Sequence, residues 1–279
     1  MHVLVTGAAG YIGRHVVTAL ADRGADVTAV VRGVAAQGLV DPRAAVVDGD
    51  IFSGDLLEPA TVPDVVVHLA WEAGFVHNHP AHMERLSDHY RFLAGLSELG
   101  VRRIVALGTM HEVGYHEGPI DESTPTRPTT LYGVAKDALR RAMEIRLAGE
   151  TTQWLWLRCF YITGDDARSN SVFAKMLGAA AEGRRTFPFT SGTALFDFID
   201  VADLGDQIAA AALQDSVLGI VNCCSGEPQS LGERAERFIA ERGLDLDLEY
   251  GAFPDRPGDS PGVWGDASRI RAILAAERR

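Results

Sequence analysis

The first fourteen residues constrain this chain more than any other stretch. Val3, Leu4 and Val5 form a short apolar run. Gly7, Gly10 and Gly13 follow at GxxGxxG spacing, and Ile12, Val16, Val17 and Leu20 then repeat with helical period. A buried strand, a glycine turn and a helix in that order make a phosphate site. The glycines permit a tight bend and a close approach to the backbone, while the helix start offers unpaired N–H groups and a partial positive charge to an anion. Glycines occur in many strand–helix turns without a ligand. Here strand, turn and helix stand together at the head of the chain, which favours the pyrophosphate of a dinucleotide.

The next segments extend the same pattern. Asp26–Val31 reads as a second strand. Where sheets of this kind present an acidic residue to the adenosine ribose, this chain has Val31 followed by Arg32. An arginine there suits a 2′-phosphate, so the expected cofactor is NADP(H), with Arg14 as a second contact. Residues 44–47 form a weak third strand, and Asp50 and Ile51 after it either face the adenine or turn the chain. Residues 65–70 are a continuous apolar run, as expected of a parallel strand covered on both faces. Further strands are expected at 101–107 and 154–160, with helices at 81–99, 131–147 and 172–181 between and after them. This alternation predicts an α/β fold with a doubly wound parallel sheet of Rossmann type. Beyond about residue 165 glycine and proline become frequent and the elements shorten, to 195–199, 202–213, 219–222, 231–241 and 267–274. The expected organisation is a dinucleotide-binding domain over 1–165, joined by 195–225, and a smaller α/β substrate-binding lobe over 166–279.

A net charge of −12 over 279 residues argues against nucleic acid as a partner, although a local arginine cluster can still hold an anionic substrate. No run approaches the roughly 18 apolar residues that span a bilayer. The chain enters its first strand without a basic or apolar leader, so a cytoplasmic protein with no membrane partner is expected. Cys159, Cys223 and Cys224 lack disulfide or metal-ligand spacing and read as buried thiols. His77, His79 and His82 follow the fourth strand, at the sheet edge where ligands bind. Without a converging cysteine or carboxylate they read as a wall of a substrate pocket and not as a metal site.

Tyr132 and Lys136 carry the chemistry. Four residues apart on a helix, they are neighbours on one face. A phenol with a pKa near 10 transfers protons poorly at neutral pH, and a nearby ammonium would lower that value by favouring the phenolate. The same lysine is in position to bond a nicotinamide ribose. Thr109 stands at the carboxyl end of the fifth strand, where its hydroxyl would bond a substrate carbonyl and polarise it for hydride attack.

These residues resemble the extended short-chain dehydrogenase/reductases of the NAD-dependent epimerase/dehydratase family, which act on sugar nucleotides. The resemblance spans essentially the whole chain. It rests on Thr6 to Gly13, on His68-Leu69-Ala70, on Thr109 with Tyr132 and Lys136, on Arg158, and on two later segments. Those segments run from Phe196 to Asp203 and from Arg256 through Pro257 and Gly258 to Asp259. The resemblance implies that Gly7, Gly10, Tyr11, Ile12, Gly13, Leu69 and Ala70 line the cofactor, that Met110 and His111 touch the sugar, with Glu112 a candidate beside them, and that Arg256 forks onto a nucleotide phosphate. It also implies a homodimer built on the helices near 81–99 and 131–148.

Departures from the family pattern narrow the activity. Phe196 replaces a usual phosphate-binding arginine and Tyr161 stands near a usual asparagine, with Arg184 or Arg185 as candidates to compensate. Dehydratases carry Asp-Glu directly after the threonine, whereas Met110 and His111 follow it here, which argues against a 4,6-dehydratase. An epimerase retaining NAD or a reductase consuming NADPH remains. Residues 108–114 and 131–140 are similar to the 4-ketoreductases of deoxysugar pathways. The leading expectation is therefore NADPH-dependent reduction of the C4 ketone of a dTDP-4-keto-6-deoxyhexose, a nucleotide-sugar substrate. A nucleotide-sugar epimerase and a reductase of a non-nucleotide carbonyl compound are the alternatives.

Overall fold

Apolar runs that lack polar alternation become strands buried on both faces. The computed structural model describes residues 1–54, 56, 62–74, 76–164, 171–255, 258 and 260–277. The first half contains β1 (His2–Thr6), α1 (Gly13–Asp22), β2 (Asp26–Val31), β3 (Ala45–Asp48), β4 (Val65–His68), α2 (Ala81–Glu84), α3 (Leu86–Glu98), β5 (Arg103–Thr109), β6 (Gly118–Ile120) and α4 (Leu131–Arg146). The second contains β7 (Gln153–Cys159), β8 (Tyr161–Thr163), α5 (Val172–Ala181), β9 (Thr186–Pro188), β10 (Leu195–Asp200), α6 (Val201–Leu213) and β11 (Gly219–Cys223). It ends with β12 (Pro228–Ser230), α7 (Leu231–Arg242), β13 (Asp247–Glu249), β14 (Gly262–Gly265) and α8 (Ser268–Glu277).

Seven strands form one parallel sheet in the order β3-β2-β1-β4-β5-β7-β11. The reversal of order at β1 and β4 leaves a crevice at their carboxyl ends, the binding position of doubly wound sheets. Successive residues serve opposite faces. Val3, Val5, Val65, Val67, Leu155 and Leu157 join Val16, Leu20, Leu204, Ile208, Ile270 and Ile273, so α1, α6 and α8 cover that side. Leu4, Val66, Ile104, Trp154 and Trp156 join Leu93, Leu96, Leu139 and Met143, which places α3 and α4 on the other.

A second sheet runs β12-β10-β14-β6, with β8 also paired to β10, and β13 pairs with β9. Over β10, α5 and α7 enclose a separate core around Phe173, Met176, Phe198 and Phe238. The chain crosses between these layers more often than a boundary near residue 165 suggests. β6 pairs with β14 in the smaller sheet, while α8, from the expected lobe, joins the core of the large one. The helix expected over 81–99 is broken at Arg85, whose backbone (φ −92°, ψ −4°) separates α2 from α3. The strand expected at 101–107 starts later and ends on Thr109 itself. Among the described residues, no helix is long and apolar enough to cross a membrane.

Candidate active site

The turn after β1 folds as its glycines require. Gly7 has φ +68°, and a Cβ there would stand 2.7 Å from the Ala70 backbone nitrogen. A Cβ on Gly13 would stand 2.1 Å from the Gly7 carbonyl oxygen. The Gly10 N–H donates to that same oxygen at 2.9 Å and closes the bend. Ile12, at the start of α1, gives the helix no side-chain cap. The cradle fits a dinucleotide pyrophosphate, because the backbone is bare where phosphate oxygens would approach and the positive end of the helix faces them.

The crevice wall is held by a buried relay. The N–H groups of Leu69 and Ala70 donate to the Thr6 carbonyl oxygen (3.2 Å) and Oγ1 (3.3 Å). Thr6 Oγ1 lies 2.8 Å from His68 Nδ1, and His68 Nε2 lies 2.9 Å from His89 Nδ1. Thr6, His68 and His89 thus form one hydrogen-bonded chain, whose donor direction follows the tautomers of the two rings. Burial holds both rings neutral, with His68 far below the usual histidine range and His89 down to about 3.

The other expected cofactor residues sit around this cradle. The Tyr11 hydroxyl packs against Gly164, where a Cβ would come within 2.2 Å of it. Arg14 turns onto the Tyr11 ring (5.9 Å) and onto His15 Nε2 (3.4 Å). Arg32 is exposed at the end of β2, with Nη1 3.3 Å from Glu72 Oε1. Asp50 serves a turn, Oδ1 accepting from the Phe52 N–H at 3.0 Å, and Ile51 is buried in the layer that contains Leu4, Val30 and Val66.

Thr109 ends β5 and starts a short helical turn, Met110–Glu112. Its Oγ1 accepts from the His111 N–H (3.3 Å), while Glu112 Oε1 accepts from the Thr109 N–H (2.7 Å). The start of α4 docks against the same edge. Thr130 caps the Gly133 N–H at 3.1 Å, and the Tyr132 N–H donates to the His77 carbonyl oxygen at 2.8 Å. The Tyr132 phenol faces the Thr109 side chain. Burial pushes the phenol well above its ordinary range although Thr109 draws it down, so it stays protonated at neutral pH.

Lys136, one turn along α4, is also buried. Its Nζ donates to the Leu107 carbonyl oxygen at 2.7 Å and lies 3.8 Å from the centre of the Trp71 ring. Burial pushes its pKa down to about 7, with Glu112 pulling the other way. The expectation that Lys136 draws Tyr132 towards the phenolate is not met in this arrangement. Burial leaves the amine only partly charged at neutral pH, and it bonds Leu107 and stands 5.9 Å from the phenol ring centre.

An aromatic wall completes the site. His77 stacks on Tyr132 at 5.6 Å and lies 4.3 Å from His111, while Trp71 stacks on His89 at 4.3 Å. Trp71 Nε1 donates to His82 Nδ1 at 3.0 Å, so His82 Nε2 carries the hydrogen given to the Val76 carbonyl oxygen. Of the three loop histidines, His77 and His82 thus reach the Tyr132 edge, while His79 is exposed. A cavity of about 130 Å³ opens beside this edge, with Met110, His111, His116, Tyr161 and Phe196 in its lining. The Tyr161 and Phe196 rings, at the two departures from the family pattern, lie 4.5 Å apart. Arg184 and Arg185 do not line this cavity; they pair with Glu182 and Asp245 at the surface. Arg256 lies outside the described residues. Sequence reasoning missed Trp71, although it directly follows His68-Leu69-Ala70. It placed Glu112 as a candidate at the sugar, whereas the structure buries its carboxylate in a capping box with Thr109, a pattern legible as Thr109-x-x-Glu112.

The model of the NAD dependent epimerase/dehydratase family matches residues 3–224. The chain is 43% identical over 272 residues to the dTDP-6-deoxy-L-talose 4-dehydrogenase (NAD(+)) of Aggregatibacter actinomycetemcomitans, covering 95% of this chain and 99% of that one. It is 27% identical over 271 residues to the dTDP-6-deoxy-L-talose 4-dehydrogenase (NAD(P)(+)) of Kitasatospora kifunensis, covering 92% and 84%. The solved structure of MoeE5 in complex with UDP-glucuronic acid and NAD superposes with a TM-score of 0.81 at 26% identity, over 99% of this chain and 93% of that one.

Proposed function

This chain belongs to the NAD-dependent epimerase/dehydratase family, and on that premise we propose that it transfers a hydride at C4 of a dTDP-linked 6-deoxyhexose, working as a 4-ketoreductase. The observation that carries this reading is that Thr109 and Tyr132 meet at the mouth of the crevice, in a chain 43% identical over nearly its whole length to a dTDP-6-deoxy-L-talose 4-dehydrogenase. A 4-dehydrogenase and a 4-ketoreductase run the same step in opposite directions.

Bound in the cradle, the nicotinamide dinucleotide would supply or take up the hydride. The chain's own groups do the rest. Gly7, Gly10 and Gly13, with the amides at the start of α1, hold the pyrophosphate, and Tyr11, Ile12, Leu69 and Ala70 shape the groove. Thr109 and Tyr132 share the C4 oxygen, and Tyr132 gives it a proton as the carbonyl becomes an alcohol. The buried phenol holds its proton before reaction and yields it only as the C4 oxygen gains alkoxide charge, a stronger base than the phenolate. Lys136 fixes the ribose and helps return a proton to Tyr132. Met110 and His111 contact the sugar, and Arg256 the nucleotide phosphate. The aromatic pair Tyr161 and Phe196 supports an apolar seat for a sugar that lacks a 6-hydroxyl. A homodimer through α3 and α4 belongs to the same proposal, supported by the exposed Leu131, Val134 and Ile145.

For the cofactor, the proposal is NADP(H), with exposed Arg32 meeting the 2′-phosphate where an acidic residue would repel it. NAD(H) is the second reading, favoured by the Glu72 carboxylate 3.3 Å from that guanidinium. Oxidation of NADPH and NADH with a dTDP-4-keto-6-deoxyhexose, followed at 340 nm, tests both points. The expected result is faster loss of NADPH, with Arg32→Ala raising its KM about tenfold or more and leaving that for NADH unchanged. Oxidation of neither cofactor would overturn the substrate reading.

A further inference from the structure

We propose that Glu112 is a positioning residue of this site, its single buried carboxylate fixing the Thr109 hydroxyl relative to the helix that carries Tyr132 and Lys136. The inference rests on the roles proposed above for those three residues. Glu112 is fully buried beneath the reacting edge. Oε1 accepts two hydrogen bonds, from the Thr109 N–H at 2.7 Å and from the Trp156 indole N–H at 2.8 Å. Oε2 lies 3.5 Å from Arg140 Nε and 3.7 Å from Arg158 Nη2. These partners come from three elements that meet beneath the site: Thr109 from the end of β5, Trp156 and Arg158 from β7, and Arg140 from α4.

The placement on α4 is specific. Tyr132, Lys136 and Arg140 follow one another at four-residue spacing and share one face, so a hold on Arg140 sets the rotation of the helix that presents the phenol. The chain also leaves room for the carboxylate. A Cβ on Gly108 would lie 2.1 Å from Trp156 Nε1 and 2.7 Å from Glu112 Oε1. Thr109 completes the lock from its own side. Its Oγ1 accepts the His111 N–H at 3.3 Å, which orients the hydroxyl within the same turn. A buried ion cluster is a poor way to gain stability, because apolar side chains of similar volume do as well or better. Its value here is geometric.

A double-mutant cycle tests the inference. Glu112→Gln keeps an oxygen able to accept from Thr109 and Trp156 but removes the charge that holds Arg140 and Arg158. The expected result is a fall in kcat of about tenfold with the KM for the nucleotide sugar within about twofold. In a Thr109→Ala background the same change should cost less than about twofold, because the charge serves to register the Tyr132 helix against a Thr109 hydroxyl that is then absent. A cluster that merely supports the fold would lower both backgrounds by the same factor, and that result, or an unchanged kcat, overturns the proposal. Full activity of Thr109→Ala itself would refute the role of Thr109 and this inference with it. A normal Thr109→Ala loss with multiplicative costs refutes this inference alone. Should Glu112→Gln give no soluble chain, Trp156→Phe withdraws one donor from Oε1 and enters the same cycle, with the same two outcomes.

Discussion

Replacing Lys136 by methionine should make the chain progressively more stable than the wild type as the pH falls. Lys136 is 3% exposed, and its folded pKa of about 7 lies below the ordinary 10.5. The unfolded chain therefore binds more protons than the folded chain between these two values, and wild-type stability rises with pH through that window. Below it the full cost applies. At about 1.36 kcal/mol per pH unit that cost is about 5 kcal/mol, and it fades above roughly pH 10.5. Between pH 6 and pH 10 the wild type should gain about 4 kcal/mol on the variant. The contact of the ammonium with Trp71, 3.8 Å away, favours the charged form by up to about 2 kcal/mol and reduces that gain to no less than about 2. Loss of the hydrogen bond to Leu107 costs the variant about 1–3 kcal/mol and, to first order, offsets the difference without bending its dependence on pH. Urea unfolding of both chains at one-unit steps from pH 6 to pH 10, followed by far-UV circular dichroism, measures the difference, in which all other titrations cancel. Parallel stability profiles, or a wild type that loses ground as the pH rises, would refute the burial argument.

Other consequences are as direct. Tyr132→Phe should keep the fold and the cofactor affinity while lowering kcat by about 10²–10⁴ in steady-state assays, and near-normal turnover would remove Tyr132 from the chemistry. Gly13→Ala places a methyl group 2.1 Å from the Gly7 carbonyl oxygen, a backbone atom that cannot move aside cheaply. It should weaken dinucleotide binding about tenfold or more in a fluorescence titration, and unchanged affinity would contradict the cradle.

The parts of the chain legible in sequence are those whose cause is local. Gly7 and Gly13 answer a backbone demand within one turn, and the run from Val65 to Val67 needs only its own apolar character to read as a covered strand. The three-residue strands β6, β8 and β12 carry no periodicity, and only pairing with residues distant in sequence makes them strands. Thr109, Tyr132 and Lys136 were readable by type and spacing, but the state of Lys136 was not. It depends on Trp71 and the Leu107 carbonyl, which the fold brings from other strand ends. The grouping of Arg140 and Arg158 around Glu112 was hidden for the same reason.

The central claim is net hydride transfer at C4, and isotope transfer measures it most directly. The chain would be incubated with dTDP-6-deoxy-L-talose deuterated at C4 and an oxidised nicotinamide cofactor, and the products examined by mass spectrometry. The account predicts deuterium on the released cofactor, one reduced dinucleotide for each 4-ketosugar formed. Label returned to C4 with inverted configuration and no free reduced cofactor would mark an epimerase and contradict it, as would the absence of any reaction.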